Sequence, residues 1–402
     1  ADDAGWWRRG FLDSVGRIPS LDELEEFLTD RDGNRRENLV ERLLHDDRYT
    51  AEYANHWATV WTILLIGRGG GMDRRDLTNR DGMMKYLRDS FAVNKTYDRM
   101  VYELVAAEGA TKPGATGFNG AVNFLVGKVN DEKAVLAASS VSRIFLGQQV
   151  QCTQCHNHPF NDWKQQKFWE FNSFFRQTRA LRRFADGRDI DYAELVSEDF
   201  PGESGDADEA MIFYEMRNGL TKTAFPVFTD GTAIDPSGYV EDVNRRKELA
   251  NLMLGSESLD RMAINRYWSM FLGYGFTKPI DDMGPHNLPS HPDLLTDLAS
   301  AFRDSSYNVK ELITWITLSR PYALASVLGS NNEIDDPSLG ETPKFSRFYL
   351  RQMSAEQLYQ SLVAASEASA QGTYAQQESK RREWLRQFVV TFGTDEGDEA
   401  TT

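Results

Sequence analysis

The sequence predicts a mainly α-helical protein in which a loop-rich acidic connector joins two helical domains, with at most a small β-hairpin. Apolar residues recur at intervals of three and four along both ends of the chain, as they do on one face of an α-helix. Residues with short polar side chains stand directly before several of these stretches, where they cap helices. The stretch 185–243 lacks this rhythm and is rich in Gly, Pro and Asp. We therefore divide the chain into residues 1–184, 185–243 and 244–402.

Helices are predicted for most of the first domain. Ser20 and Glu23 have the spacing of a capping box, in which the two side chains satisfy free backbone N–H groups at the start of a helix. The predicted apolar face of this helix consists of Leu21, Leu24 and Leu28. The most periodic helix places His56 on the same face as Trp57 and Trp61. Asn130 is predicted to cap a long helix that continues to about Gln149.

Helices resume near Asn244 in the second domain. Three further helix starts carry cap-like residues, which are Ser290, Asn308 and Ser354. Arg266 lies within an apolar helix, and a buried arginine needs an acidic partner. We expect it to form a structural ion pair with Asp282. The acidic tail from Gly393 is predicted to fray.

Composition excludes some classes of partner. The 402 residues include 45 basic and 61 acidic side chains, which gives a net charge of −16. Such a charge disfavours binding to nucleic acid or to an anionic membrane surface. No apolar run is long enough for a transmembrane helix, so the chain is not expected to span a membrane.

Both cysteines of the chain lie in one short motif. Cys152, Cys155 and His156 form the pattern Cys-x-x-Cys-His, which is typical of the attachment site of a c-type haem. Two thiols at this spacing can each form a thioether to the porphyrin, and the histidine that follows can then bind the iron. The sequence therefore predicts one covalently attached haem c, with His156 as an axial iron ligand.

The residues that follow the motif are predicted to complete the haem pocket. His158 is too close to His156 in the chain to bind the opposite face of the same haem. We expect it to hydrogen-bond a haem propionate, a backbone group or a substrate. Phe160 and Trp163 begin a series of seven aromatic residues within sixteen positions. These aromatic side chains could form an ordinary core or the apolar wall that excludes water from a haem.

The second axial ligand has to come from another part of the chain. His56 is the first choice, because an imidazole on an apolar helix face needs a polar partner. A core histidine that hydrogen-bonds a carbonyl would have the same pattern. The other candidates are Met211, Met216, Met283, His286 and His291. An open sixth position would favour chemistry at the iron over electron transfer alone.

The chain resembles the secreted, cytochrome-like planctomycete proteins that pair an N-terminal with a C-terminal domain of unknown function. The most specific matching segment is 150–163, around the cysteine motif. The other matching segments are 11–44, 55–57, 263–268, 271–275, 289–292 and 353–357. The resemblance implies export and haem binding in the first domain, but no reaction. The C-terminal domain of the family normally runs further, so the resemblance also implies either that the end of the chain is disordered or that the chain was cut within the second domain.

Two functions from different classes follow from these patterns. In the first, an extracytoplasmic haem c protein exchanges electrons with a redox partner protein or, as an enzyme, acts as a haem-dependent oxidoreductase. Its location is periplasmic or secreted, which requires that a signal peptide has already been removed. In the second, Cys152, Cys155, His156 and His158 bind a metal such as zinc in a non-redox module. The acidic surface or the connector of that module would recognise a carbohydrate or a protein.

Overall fold

The computed structural model describes residues 2–73, 75–129, 133–185, 189–329, 332–368 and 373–392, and it confirms a mainly α-helical fold. The helices of the first half are α1 (Asp3–Val15), α2 (Leu21–Thr29), α3 (Arg35–His45), α4 (Asp47–Ile66), α5 (Arg80–Ala92), α6 (Tyr97–Ala106), α7 (Val135–Leu146) and α8 (Gln165–Asn172). Those of the second half are α9 (Arg245–Leu254), α10 (Glu257–Leu272), α11 (Pro292–Asp304), α12 (Val309–Thr317), α13 (Arg320–Ala323), α14 (Ala355–Ser366) and α15 (Tyr374–Phe392). None of the helices in these ranges has both the length and the apolar composition that crossing a membrane requires.

An aromatic core joins the two halves of the chain. The ring of Trp57 on α4 lies 5.3 Å from that of Tyr267 and 5.8 Å from that of Phe271, both on α10. Trp61, one turn further along α4, donates its indole N–H to the Tyr267 hydroxyl over 3.2 Å. Helix α10 is buried on nearly all sides, as expected for a helix whose apolar residues do not form a single stripe. The two predicted domains therefore share a core, and the structure does not confirm them as separate domains.

The prediction of at most a small β-hairpin was wrong, because the described residues form two small sheets. Strands β1 (Gly109–Ala110), β2 (Thr178–Phe184) and β3 (Ile190–Ser197) form an antiparallel sheet in the order β1-β3-β2, and β4 (Ile212–Glu215) pairs with β5 (Thr221–Ala224). Only Ala193 and Leu195 are fully buried on β3, which is too short an alternation to indicate a strand in advance. Since β3 pairs with both β1 and β2, part of the predicted connector belongs to a sheet of the first half.

The predicted helix caps were correct at several positions. Ser20 and Ser354 each form a reciprocal capping box, and Asn308 accepts hydrogen bonds from two backbone N–H groups of α12. Ser290 does not cap α11, which begins with Pro292 directly after His291. Asn130 lies outside the described residues, as does the tail from Gly393. The predicted long helix is present as α7, from Val135 to Leu146.

The predicted apolar face of α2 was correct for Leu24, which packs against the core, and wrong for the other two leucines. Leu21 and Leu28 are 69% and 53% exposed, whereas Phe27 is only 2% exposed. The ring of Phe27 stacks on that of Trp7 in α1, with the centroids 5.4 Å apart. The large aromatic surface of Phe27 gains more from burial than a leucine does, so it determines which side of α2 faces the core.

A buried carboxylate connects α1 to the C-terminal half of the chain. Asp13 is 6% exposed and accepts a 2.7 Å hydrogen bond from the Tyr322 hydroxyl. Both of its oxygens also accept from Nη2 of Arg351, each over 2.7 Å. Arg9, one turn earlier on α1, donates to the Tyr322 carbonyl over 2.8 Å. This ionic cluster therefore fixes the two chain segments against each other.

We predict that Asp13→Ala lowers the free energy of unfolding by about 3 kcal/mol, because it leaves Arg351 and the Tyr322 hydroxyl without their partner. Chemical denaturation would measure the change. Asp89→Ala is the matched control, since Asp89 forms an exposed pair with Lys85 whose loss should cost less than about 1 kcal/mol. Equal effects of the two substitutions would contradict a structural role for Asp13.

Candidate functional site

Cys152 lies in a 3-10 turn that follows α7, and Cys155 caps the end of this turn. The turn spans Gln151–Gln154, and both Cys152 and Cys155 are free and exposed. Thr153, between them, is fully buried and donates its hydroxyl to the Val150 carbonyl over 2.6 Å. The turn therefore anchors its middle residue in the protein and leaves both thiols at the surface. Partial desolvation, together with the nearby Asp282 carboxylate, raises the pKa of Cys152 and favours the protonated thiol.

His156 has one ring nitrogen engaged by the backbone and the other available. Its Nδ1 lies 2.7 Å from the carbonyl oxygen of Asn157. Because a carbonyl oxygen can only accept, Nδ1 carries the hydrogen and the neutral ring has its lone pair on Nε2. A backbone carbonyl that holds one ring N–H is a common support for a histidine that binds a metal through the other nitrogen. The geometry of His156 therefore fits the predicted role of iron ligand.

His158 has the opposite arrangement. Its Nδ1 accepts hydrogen bonds from the backbone N–H groups of Phe160 and Asn161, each over 3.2 Å. The neutral ring therefore carries its hydrogen on Nε2 and can donate it, while no ring lone pair remains for a metal. Desolvation and the neighbouring His286 lower the pKa of His158, which favours this neutral form. The geometry agrees with the predicted hydrogen-bonding role of His158.

The aromatic residues after the motif divide into two groups. Those further along the chain are buried in the core, and they are Phe168, Trp169, Phe171, Phe174 and Phe175. Phe160 is 76% exposed, and its ring lies 6.2 Å from that of His158. Trp163 packs against the core, and its buried indole Nε1 has no hydrogen-bond partner among the described residues. Trp169 also contacts the motif, since its indole N–H donates to the Gln154 carbonyl over 3.1 Å. Phe160 and Trp163 are therefore the two aromatic residues of the series that are not fully buried.

A loop from the second half of the chain lies against the motif. The backbone N–H of Met283 donates to the Gly147 carbonyl, at the end of α7, over 2.7 Å. The carboxylate of Asp281 is 5% exposed and accepts from Gln149 over 2.6 Å and from Arg143 over 3.1 Å. These contacts join residues 281–283 to the segment that leads directly into the cysteine turn.

The same loop brings a third histidine to the site. His286 lies with its ring centroid 5.3 Å from that of His158, and its Nε2 is 2.9 Å from Oδ2 of Asp282. The sequence offered His286 and Met283 only as alternatives, since no local pattern reports contacts between segments so far apart in the chain. Asp282 was expected to pair with Arg266, which donates instead to the Ile144 carbonyl over 3.0 Å.

The structure does not bring His56 to the motif. Its ring packs against Gly16 at the end of α1, where the space that a Cβ would occupy lies only 2.6 Å from Nδ1. Gly16 also has a φ of 79°, in the left-handed region that favours glycine. Glycine therefore fits both the backbone conformation and the close contact with the His56 ring. Desolvation lowers the pKa of His56 to about 4, and the ring hydrogen-bonds the backbone of Asp13. These contacts match a core histidine bonded to a carbonyl.

The remaining candidates for the second axial ligand contact other parts of the chain. His291 packs between the rings of Phe276 and Phe345, at 6.2 and 5.5 Å. Met216 packs on the core beside β4, and the backbone of Met211 pairs with Glu203 and Glu209. Across the ranges that the structure describes, no three His, Cys, Asp or Glu side chains are arranged to hold a metal ion. The geometry therefore gives no support to a non-haem metal site built from the four motif side chains.

These features define a mainly helical protein with a surface Cys-x-x-Cys-His site to which both halves contribute. Residues 1–180 match the family model PSCyt2, described as a protein of unknown function (DUF1549). Residues 245–399 match PSD1, also described as a protein of unknown function (DUF1553). The chain thus pairs an N-terminal with a C-terminal domain of unknown function, as the resemblance implied. No curated protein and no solved structure matches the chain.

We predict that His56 makes folding sensitive to pH between about 6.5 and 4. The folded chain protonates His56 only near pH 4, whereas the unfolded chain does so near the ordinary value of 6.5. The unfolded state therefore binds more protons in this interval, and the free energy of unfolding falls as the pH drops, by up to about 3 kcal/mol. Denaturation of the wild type and of His56→Gln across this interval would measure the contribution.

His56→Gln should flatten the pH dependence of unfolding, while His45→Gln is the control at an exposed histidine of α3. If His56→Gln retained the full wild-type dependence on pH, the ring of His56 would not be the desolvated, neutral group that its lowered pKa indicates.

We predict that Asp281→Ala loosens the loop from the cysteine motif. Loss of the carboxylate removes hydrogen bonds from Arg143 and Gln149, at a cost of about 1–3 kcal/mol. Amide hydrogen exchange of peptides covering residues 280–288 should become faster, including that of the Met283 N–H. Asp297→Ala, an exposed position on α11, is the control. Unchanged exchange in the Asp281 variant would show that other contacts hold the loop.

Proposed function

We propose that the protein is an extracytoplasmic c-type haem protein that acts in electron transfer or in haem-based redox chemistry. The observation that carries this proposal is the combination of two free, exposed thiols on one turn with a histidine whose Nε2 lone pair is available. Covalent attachment requires accessible thiols, and iron ligation requires an unprotonated imidazole nitrogen. The resemblance to exported planctomycete proteins supports a periplasmic or secreted location.

Each residue of the motif has a defined part in this proposal. Cys152 and Cys155 would hold the porphyrin through thioethers, and His156 would bind the iron. The haem, when bound, supplies reversible one-electron chemistry at its iron. The Asn157 carbonyl orients the His156 ring and makes its Nε2 a stronger donor.

The residues around the motif would shape the environment of the haem. The exposed face of Phe160 offers apolar surface that can exclude water. The Nε2–H of His158 and the Nε1–H of Trp163, which has no partner within the described ranges, are donors that suit propionate oxygens. The negative charge of Asp282, close to Cys152, favours the more positive oxidised state and therefore lowers the reduction potential.

We predict that the protein, produced in a host that attaches haem to such motifs, has a Soret band that persists after denaturation and acid–acetone extraction. Replacing both cysteines, as Cys152→Ser with Cys155→Ser, should make the colour extractable or abolish it. Thr153→Ser, which keeps the buried hydroxyl of the same turn, is the matched control and should retain the attached colour. A colourless wild-type protein that contains zinc would contradict the proposal and favour the non-redox binding module.

A further inference from the structure

Asn157 forms one hydrogen bond through its backbone and another through its side chain. Its carbonyl oxygen lies 2.7 Å from Nδ1 of His156. Its side-chain Oδ1 accepts a 3.0 Å hydrogen bond from the backbone N–H of Gln165, the first residue of α8. The N–H groups in the first turn of a helix need acceptors from outside the helix. Lys164, directly before α8, caps it with no side-chain bond to the residues that the structure describes, so Asn157 supplies the cap.

The start of α8 is held in a fixed position beside the cysteine turn. The side chain of Gln165 is 5% exposed, and its Nε2 donates to the Gln154 carbonyl over 3.1 Å and to the Glu215 carbonyl over 2.8 Å. Trp169, one helical turn later, donates its indole N–H to the same Gln154 carbonyl over 3.1 Å. Since Gln154 ends the cysteine turn and Glu215 ends β4, these bonds join the turn, α8 and the second sheet. The cap on α8 therefore connects Asn157 to a rigid part of the structure.

The direction of the Asn157 carbonyl depends on two anchors. Asn157 is exposed, so packing contributes little to holding its backbone in place. The side-chain bond to Gln165 fixes the residue on one side of the carbonyl. On the other side, the N–H of His158 donates to the Trp163 carbonyl over 2.8 Å. A peptide unit that is held at only one end can turn about the bond that remains.

The position of this carbonyl determines which nitrogen of His156 is available. A neutral imidazole can carry its hydrogen on either ring nitrogen, and the hydrogen-bond partner of one nitrogen selects between the two tautomers. Because a carbonyl oxygen only accepts, its position at Nδ1 keeps the hydrogen there and leaves the lone pair on Nε2. If the carbonyl moved away, this preference would be lost.

We infer that Asn157 is a positioning residue, whose side-chain bond to α8 holds its carbonyl against His156 and thereby keeps the Nε2 lone pair of His156 available. The part of this inference that concerns iron rests on the proposed function, whereas the tautomer of His156 is a property of the chain without haem. With iron bound, the same hydrogen bond would make His156 a stronger donor, which favours the oxidised state and lowers the reduction potential.

The first experiment measures the tautomer of His156 by ¹⁵N NMR of the histidine-labelled full chain, produced without haem and kept reduced. At about pH 8.5, two units above the ordinary histidine pKa, the ring is neutral. The signals of His156, assigned by their loss in His156→Gln, should show Nδ1–H as the major form. Asn157→Ala keeps the carbonyl but removes its anchor. It should shift the tautomer ratio toward Nε2–H by about two- to tenfold, the net worth of one hydrogen bond.

Two variants serve as controls for the tautomer measurement. Asn157→Asp keeps an oxygen acceptor for the Gln165 N–H and should retain the wild-type ratio. Asn308→Ala removes a comparable asparagine cap from α12 and should also retain it, because its loss does not involve the His156 segment. Circular dichroism confirms that each variant is folded.

The second experiment measures the reduction potential of the haem-loaded wild type, Asn157→Ala and Asn308→Ala, with haem content confirmed by intact mass. The potential should rise in Asn157→Ala, because His156 becomes a weaker donor, and it should stay at the wild-type value in Asn308→Ala. A potential that does not rise in Asn157→Ala would overturn the influence of Asn157 on the iron.

The outcomes separate the inference from the proposed function. A wild-type ring with its hydrogen mainly on Nε2, or an unchanged tautomer ratio in Asn157→Ala, would overturn the inference whether or not the protein binds haem. An equal shift in Asn308→Ala would also overturn it, since the effect would then reflect general loosening of the fold. Absence of haem from the wild-type mass would instead contradict the proposed function and leave the tautomer result in place.

Discussion

The arrangement of the site depends on the buried carboxylate of Asp281. This side chain is 5% exposed, and it accepts from Arg143 in the last turn of α7 and from Gln149 between α7 and the cysteine turn. A buried carboxylate without partners is costly, so the loop is strongly favoured in the position where both donors reach it. That position also places the Met283 N–H on the Gly147 carbonyl and the ring of His286 beside that of His158. The two halves therefore form one site.

The packing of the whole chain supports this arrangement. The rings of Trp57 and Tyr267 meet in the shared core, and Asp13 joins α1 to Arg351. Aromatic contacts of this kind are large in area and specific in geometry, so they fix the orientation of α10 relative to α4. The loop that carries Asp281 follows α10 closely, and its position relative to the motif depends on that orientation. Separating the halves would disrupt the core and the candidate site together.

Local chemistry explains which features could be predicted from the sequence. Capping at Ser20 and Ser354 depends on residues three positions apart, and the cysteine motif depends on spacing within five residues, so both were visible in advance. The buried face of α2 could not be predicted, because it depends on the contact of Phe27 with Trp7 in another helix. Strand β3 was also missed, since its partners lie in distant segments.

The positions of His56 and His286 show the same limit. Helical periodicity correctly placed His56 on an inward face, but it could not indicate that Gly16 and Asp13, rather than an iron, occupy that side. His286 lies in a loop without periodicity, and its closeness to the motif results from tertiary contacts alone. Sequence patterns identified the residue types of the site, while the structure was needed to identify which of them meet.

The most direct test of the haem assignment is the intact mass of the native protein, followed by mapping of the peptide that contains residues 151–163. We predict the mass of the polypeptide plus one haem, with the added mass located on the peptide that carries Cys152 and Cys155. A native protein with the mass of the bare polypeptide would contradict the haem assignment and leave the helical fold without an assigned function.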